Sequence, residues 1–116
     1  MRDVTTIDAD PQDLALVPEV HVVSRLRLRP ECWLRLLQAM PSFMAATRSE
    51  PGCLDYDLYV SATRTGEVTT VARWADQAAA TAHLAAQHTR SFFMLTTDCA
   101  AAGPHIVTLA PLREGV

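Results

Sequence analysis

Arg48-Ser49-Glu50-Pro51-Gly52-Cys53-Leu54-Asp55-Tyr56-Asp57-Leu58-Tyr59 is the stretch that decides the fold. Pro51-Gly52 is a turn signal, because proline presets one backbone angle and glycine accepts the left-handed conformation that tight turns need. After the turn the chain alternates. Leu54, Tyr56, Leu58 and Val60 share one face, and Cys53, Asp55, Asp57 and Tyr59 share the other. The stretch reads as a joint that ends a helix and launches a half-buried strand, apolar and aromatic on one side and acidic on the other.

Upstream, Val20 to Arg29 alternates in the same way, with Val20, Val22, Ser24, Leu26 and Leu28 on the apolar face. Pro30 ends this strand and suits the first turn of a helix. Trp33, Leu36, Leu37, Met40 and Met44 follow at helical spacing, which predicts an amphipathic helix over residues 31–47, with Pro41 kinking or splitting it. Downstream, the polar loop 61–66 predicts a hairpin leading into a strand at Glu67 to Trp74. Pairing Tyr59 with Glu67 would set Cys53 opposite Arg73 and Asp55 diagonal to it. Asp76 is a good N-cap for an alanine-rich helix over 77–86, a second helical piece spans 88–101, and Gly103-Pro104 precedes a short strand at His105 to Leu109. The order strand, helix, strand, strand, helix, strand is the split βαβ arrangement, a ferredoxin-like α+β fold with one four-stranded antiparallel sheet.

A chain of 116 residues is one domain by size, and 49% hydrophobic content supplies a modest core. Residues 1–18 form an acidic, proline-containing tail and residues 19–112 the domain. Met1 to Glu19 holds five acidic residues against Arg2, a net charge of −4, so the tail reads as loose. The whole chain carries −3, which leaves no electrostatic footprint for nucleic acid or an anionic membrane surface. No apolar run approaches the about 20 residues of a spanning helix. The three cysteines, Cys32, Cys53 and Cys99, are an odd number without Cys-x-x-Cys spacing, and read as free buried thiols in a reducing cytoplasm.

Two anchors, the Arg-x-Glu-Pro-Gly-Cys-Leu-x-Tyr-x-Leu-Tyr stretch and Arg73-Trp74-Ala75-Asp76 followed by Ala82-His83, His88 and Phe92, resemble the antibiotic biosynthesis monooxygenase family over about Val20 to Pro111. The resemblance implies a homodimer in which two sheets meet as a dimeric α+β barrel, covering the face with Arg25, Arg27, Asp55, Asp57, Glu67 and Arg73; Tyr59 would sit at that boundary. It also implies a pocket between sheet and helices for a polycyclic phenol, anthrone or quinone, attacked by molecular oxygen. Either no cofactor is bound, or reduced flavin (FADH2 or FMNH2) from a separate flavin reductase serves as a diffusible co-substrate, as in the ring-opening angucycline branch. A non-oxidative polyketide cyclase or isomerase, and a haem-binding or haem-degrading module, are the alternatives on the same scaffold.

The expected pocket draws on Trp33, Tyr56, Phe92 and Phe93 for substrate contact, with Ala79, Ala82 and Ala86 leaving room for a flat ligand. Trp74, His83 and Ser24 are the catalytic candidates. Trp74 matches the family's tryptophan and would stack on substrate, although a strand-end tryptophan is as often a core residue. His83 is suited to proton transfer because its free pKa is near neutrality, against the plain reading of a helix histidine satisfied by a carbonyl. Tyr56 reads first as a core residue with one hydrogen bond. Ser24-Arg25-Leu26 stands where several relatives have an asparagine before Arg-Leu, and Ala72 stands where many have a glutamate two residues before the tryptophan. On an unbroken helix His83 and His88 lie about 140° apart, so no metal site is expected.

Overall fold

A computed structural model describes residues 18–112; the tail expected over residues 1–18 lies, apart from Pro18, outside the described residues. Strand β1 (Val20–Leu28) is followed by a 3₁₀ turn (Pro30–Cys32) and helix α1 (Trp33–Arg48). Strands β2 (Cys53–Val60) and β3 (Glu67–Trp74) form the hairpin, and helices α2 (Gln77–Ala85) and α3 (Gln87–Cys99) lead into β4 (Ala100–Leu109). The strands make one antiparallel sheet in the order β2-β3-β1-β4, the ferredoxin-like topology that the sequence predicts. None of the helices is long and apolar enough to cross a membrane.

The alternation of β1 and β3 holds. Val22, Ser24 and Leu26 face the helices together with Thr70, Ala72 and Trp74. The opposite face carries the charged side chains, where Arg73 bonds Asp55 at 2.8 Å and Glu19 at 3.0 Å. The hairpin register differs from expectation by two residues: Tyr59 pairs with Thr69, and Asp55 lies directly across from Arg73. A bulge between Cys53 and Asp55 takes up one residue. It turns Leu54 out to solvent, against the parity of the strand.

Helix α1 is continuous through Pro41. The carbonyl that proline deprives of its donor is that of Leu37, an exposed residue, where water can replace the lost partner. The buried stripe is Leu36, Phe43 and Thr47, not the row through Leu37 and Met44. Packing divides into two clusters. One is centred on Phe43, Tyr56, Ala72 and Trp74, the other on Leu28, Cys32, Leu36, Val68 and Cys99.

The second cluster corrects the reading of the cysteines. Cys32 and Cys99 form a disulfide with Cα atoms 5.7 Å apart, leaving Cys53 as the free thiol. A separation of 67 residues hid the pairing, since spacing alone cannot report which distant elements meet. The bridge removes the thiol argument for a reducing compartment. It also explains why β4 begins at Ala100 and not at His105. The Arg29 amide donates to the Cys99 carbonyl at 2.9 Å, so disulfide and hydrogen bond together carry the chain straight from α3 into the sheet against the helix propensity of the following alanines.

Gly52 sets how closely α2 approaches the joint. Its φ is +84°, and a Cβ there would stand 2.6 Å from the Ala79 Cβ, while its carbonyl accepts the Ala75 amide at 2.7 Å. Gly52→Ala is expected to cost about 2 kcal/mol through left-handed strain and this clash, read from the urea midpoint. Cys99→Ser, measured in the same way, is expected to cost about 2–4 kcal/mol because the bridge closes a long loop.

Candidate functional site

Between the sheet and the helices lies a cavity of about 190 Å³ whose wall is mainly apolar. Its floor comes from β1, β3 and β4, its sides from Phe43 and Tyr56, and its roof from α2 and α3. Phe43 and Phe92 stack face to face, 4.0 Å between centroids and 7° between planes, so one slab of two rings closes the α1 side. Exposed Leu84, Phe93 and Ile106 also border the space and form its mouth. A larger recess of about 690 Å³ lies beside Arg25, Arg27, Arg64 and His105. It is open, bordered by charged side chains and without a phenylalanine, tyrosine or tryptophan, so it is a poorer place for a flat apolar ligand.

Six of the seven expected site residues border the cavity: Ser24, Tyr56, Trp74, His83, Phe92 and Phe93. Trp33 does not. It packs on the Leu28–Cys99 cluster at the other end of the sheet, because it lies nearly three helical turns before Phe43, the residue through which α1 reaches the cavity. None of the alanines expected over the sheet, Ala79, Ala82 and Ala86, lines the cavity; Ala80 takes that role instead, and Ala79 is committed to Gly52.

Trp74 is 1% exposed and its ring lies 4.8 Å from that of His83. His83, also buried, is held through Nδ1 by Glu50 Oε2 at 2.6 Å, with Thr89 Oγ1 3.1 Å from the same nitrogen. His88 Nε2 reaches the same carboxylate oxygen at 2.8 Å. An ionised carboxylate only accepts, so the contact favours the tautomer of His83 that donates from Nδ1, in which a neutral imidazole has its lone pair on Nε2. Nε2 has no hydrogen-bond partner among the described residues.

Glu50 and His88 are the functional residues that sequence reasoning missed, and one residue explains both. Ala86 is extended, with φ −67° and ψ 144°, which ends α2 and restarts the chain as α3. The break cancels the 140° separation of an unbroken helix and brings the two imidazoles to 6.0 Å. Glu50 is then within reach of both from the α1–β2 joint. Alanine is a strong helix former, so nothing local marked the break.

Burial pushes the Tyr56 phenol up to about 12, opposed by its hydrogen bond with Thr70. At neutral pH it is therefore a hydrogen-bond donor and no base. Cys53 is likewise raised, by burial first and then by Glu50 and Asp55.

A four-stranded sheet with all its described helices on one face and an aromatic cavity between them defines a ferredoxin-like α+β domain. The chain belongs to the antibiotic biosynthesis monooxygenase family, whose model matches residues 19–94, and its class is that of an oxygenase. It is 30% identical over 95 residues to Rv0793 of Mycobacterium tuberculosis, which carries the name of a monooxygenase, covering 82% of this chain and 93% of that protein. The solved structure of Rv0793 superposes with a TM-score of 0.76 at 28% identity, over 84% of this chain and 99% of that one. A solved antibiotic biosynthesis monooxygenase gives a TM-score of 0.76 at 26% identity, over 81% and 99%. A conserved protein of Methanosarcina mazei Go1 gives 0.76 at 22% identity over 82% and 94%, a likeness of fold alone.

The raised Tyr56 pKa has a sign that can be checked. An acid whose folded pKa lies above its unfolded value of 10.0 stabilises the fold fully below pH 10, and that contribution is lost as pH rises toward about 12. The loss is on the order of 3 kcal/mol. Urea midpoints measured from pH 9 upward should fall across this window and should fall less steeply in Tyr56→Phe.

Proposed function

We propose that the protein is a small monooxygenase acting on a polycyclic aromatic phenol, anthrone or quinone of the aromatic polyketide type, with His83 as the base. One observation carries this reading: the Glu50 carboxylate holds His83 through Nδ1, beside Trp74, in the wall of an apolar cavity. A phenolic O–H presented to Nε2 gives up its proton there, and Glu50 steadies the imidazolium that forms. The resulting phenolate, shielded from water, is electron-rich enough to reduce molecular oxygen. For an anthrone methylene the balance is two C–H bonds lost, one oxygen atom retained as a carbonyl and the other released as water. Trp74 and the Phe43–Phe92 pair hold the flat ring, while neutral Tyr56 and the hydroxyls of Ser24 and Thr70 are the available hydrogen-bond donors.

The cavity is smaller than the about 300–1,000 Å³ usual for drug-sized ligands, so a fused-ring molecule lies partly in the mouth between Leu84, Phe93 and Ile106. Reduced flavin, if the phenolate alone is too weak a reductant, acts as a diffusible co-substrate supplied by a separate reductase. A homodimer in a cytoplasmic setting belongs to the same reading. Val23, Val71 and Val107 are in register across the strands on the face away from the helices, an apolar band that a second sheet would cover.

The test is oxygen uptake with a panel of anthrones and quinols, with and without reduced flavin. Substrate-dependent uptake is expected. His83→Gln should lower turnover by roughly 100-fold to 10,000-fold, and Glu50→Gln should lower it while flattening the pH profile. Complete conversion without oxygen would replace the oxygenase by a cyclase or isomerase.

A further inference from the structure

Glu50, His83 and His88 offer three ligand atoms, Oε2, Nδ1 and Nε2, all within 4.8 Å of one another. We propose that these three residues form a binding site for a divalent transition metal of the zinc type, located behind the cavity wall. Two imidazoles and one carboxylate are a donor set suited to such an ion, with water completing a tetrahedral shell. Donors bound at about 2.0–2.2 Å sit roughly 3.3 Å apart in a tetrahedron, so Glu50 has to withdraw by less than about 1 Å from each imidazole while the two histidine nitrogens, within 4.8 Å of each other, approach by up to about 1.5 Å.

A second observation points to a cation. The Glu50 side chain is 13% exposed, yet among the described residues no arginine pairs with it. Its neighbour Arg48 is turned away, donating to the Tyr56 carbonyl at 2.9 Å and to Asp57 at 3.0 Å. Among the described residues, the ion-pair partners of the carboxylate are the two imidazoles alone. A nearly buried carboxylate needs a compensating positive charge, and a metal supplies it while leaving both histidines neutral. His83 turns Nδ1 toward the cluster and lines the cavity with the rest of its ring. The ion would therefore bridge the α1–β2 joint, the last turn of α2 and the first turn of α3, without itself touching a ligand in the cavity.

The inference rests on the cluster alone and not on the oxygenase reading: an ion on Nδ1 places the ring proton of His83 on Nε2, so the metal-loaded chain would lack the His83 base, and the two readings describe separate states tested by separate measurements. The experiment titrates the purified full-length chain with Zn²⁺ by calorimetry and with Co²⁺ by visible absorption, in the absence of any aromatic substrate. One ion per chain is expected, with tetrahedral Co²⁺ bands and a melting temperature that rises with Zn²⁺. Glu50→Gln and His88→Gln should each weaken binding by roughly tenfold or more, since losing even an outer-shell partner has that effect. His105→Gln and Cys53→Ser should leave it unchanged. The absence of saturable binding at one ion per chain, binding that survives in His88→Gln, or binding lost in Cys53→Ser would each overturn the proposal. His88 is partly exposed, so its variant decides the matter even if Glu50→Gln fails to fold.

Discussion

A single carboxylate oxygen, Oε2 of Glu50, accepts two imidazole N–H groups from two different helices. Ion pairs on protein surfaces contribute little because water competes for both partners. Here water is largely excluded, so leaving any of the three groups unpaired would incur a desolvation penalty. The three therefore stay together, and three chain segments far apart in sequence are fixed in one relation. The same contact sets the tautomer of His83 and places its ring beside Trp74, so the fold and the chemistry depend on one interaction.

The cavity exists because the sheet and the helices are spaced by aromatic residues at its edge and small ones over its centre. Phe43 and Phe92 stack into a rigid slab, Trp74 closes the β3 end, and Ala72 and Ala80 leave the middle unfilled. Polar atoms in the wall are mostly hydroxyls, which can donate or accept by rotating. Such a surface is tolerant of where a ligand's oxygens lie but strict about flatness.

The fold was legible because alternation in the strands and the Pro51-Gly52 turn are local signals. Parity alone put Ser24, Tyr56 and Trp74 on the face that now borders the cavity. What escaped was long-range or masked by propensity. The Cys32–Cys99 bridge depends on where two helix ends meet. The bulge at Leu54 depends on a register that Arg73 helps to fix by pairing directly with Asp55. Phe43 lay on one of two plausible stripes of α1, and Trp33, the larger ring on that helix, drew attention to the wrong end. Most telling is Ala86. A residue that favours helix breaks one here, because tertiary contacts on both sides outweigh the few tenths of a kcal/mol that propensity contributes per residue.

Helix α3 is fastened unequally at its two ends. At Cys99 it is tied covalently to the start of α1, while at His88 it is held by a hydrogen bond that thermal motion can open and remake. The two fastenings therefore answer to different agents: a reductant releases the one, and a substitution at position 50 removes the other.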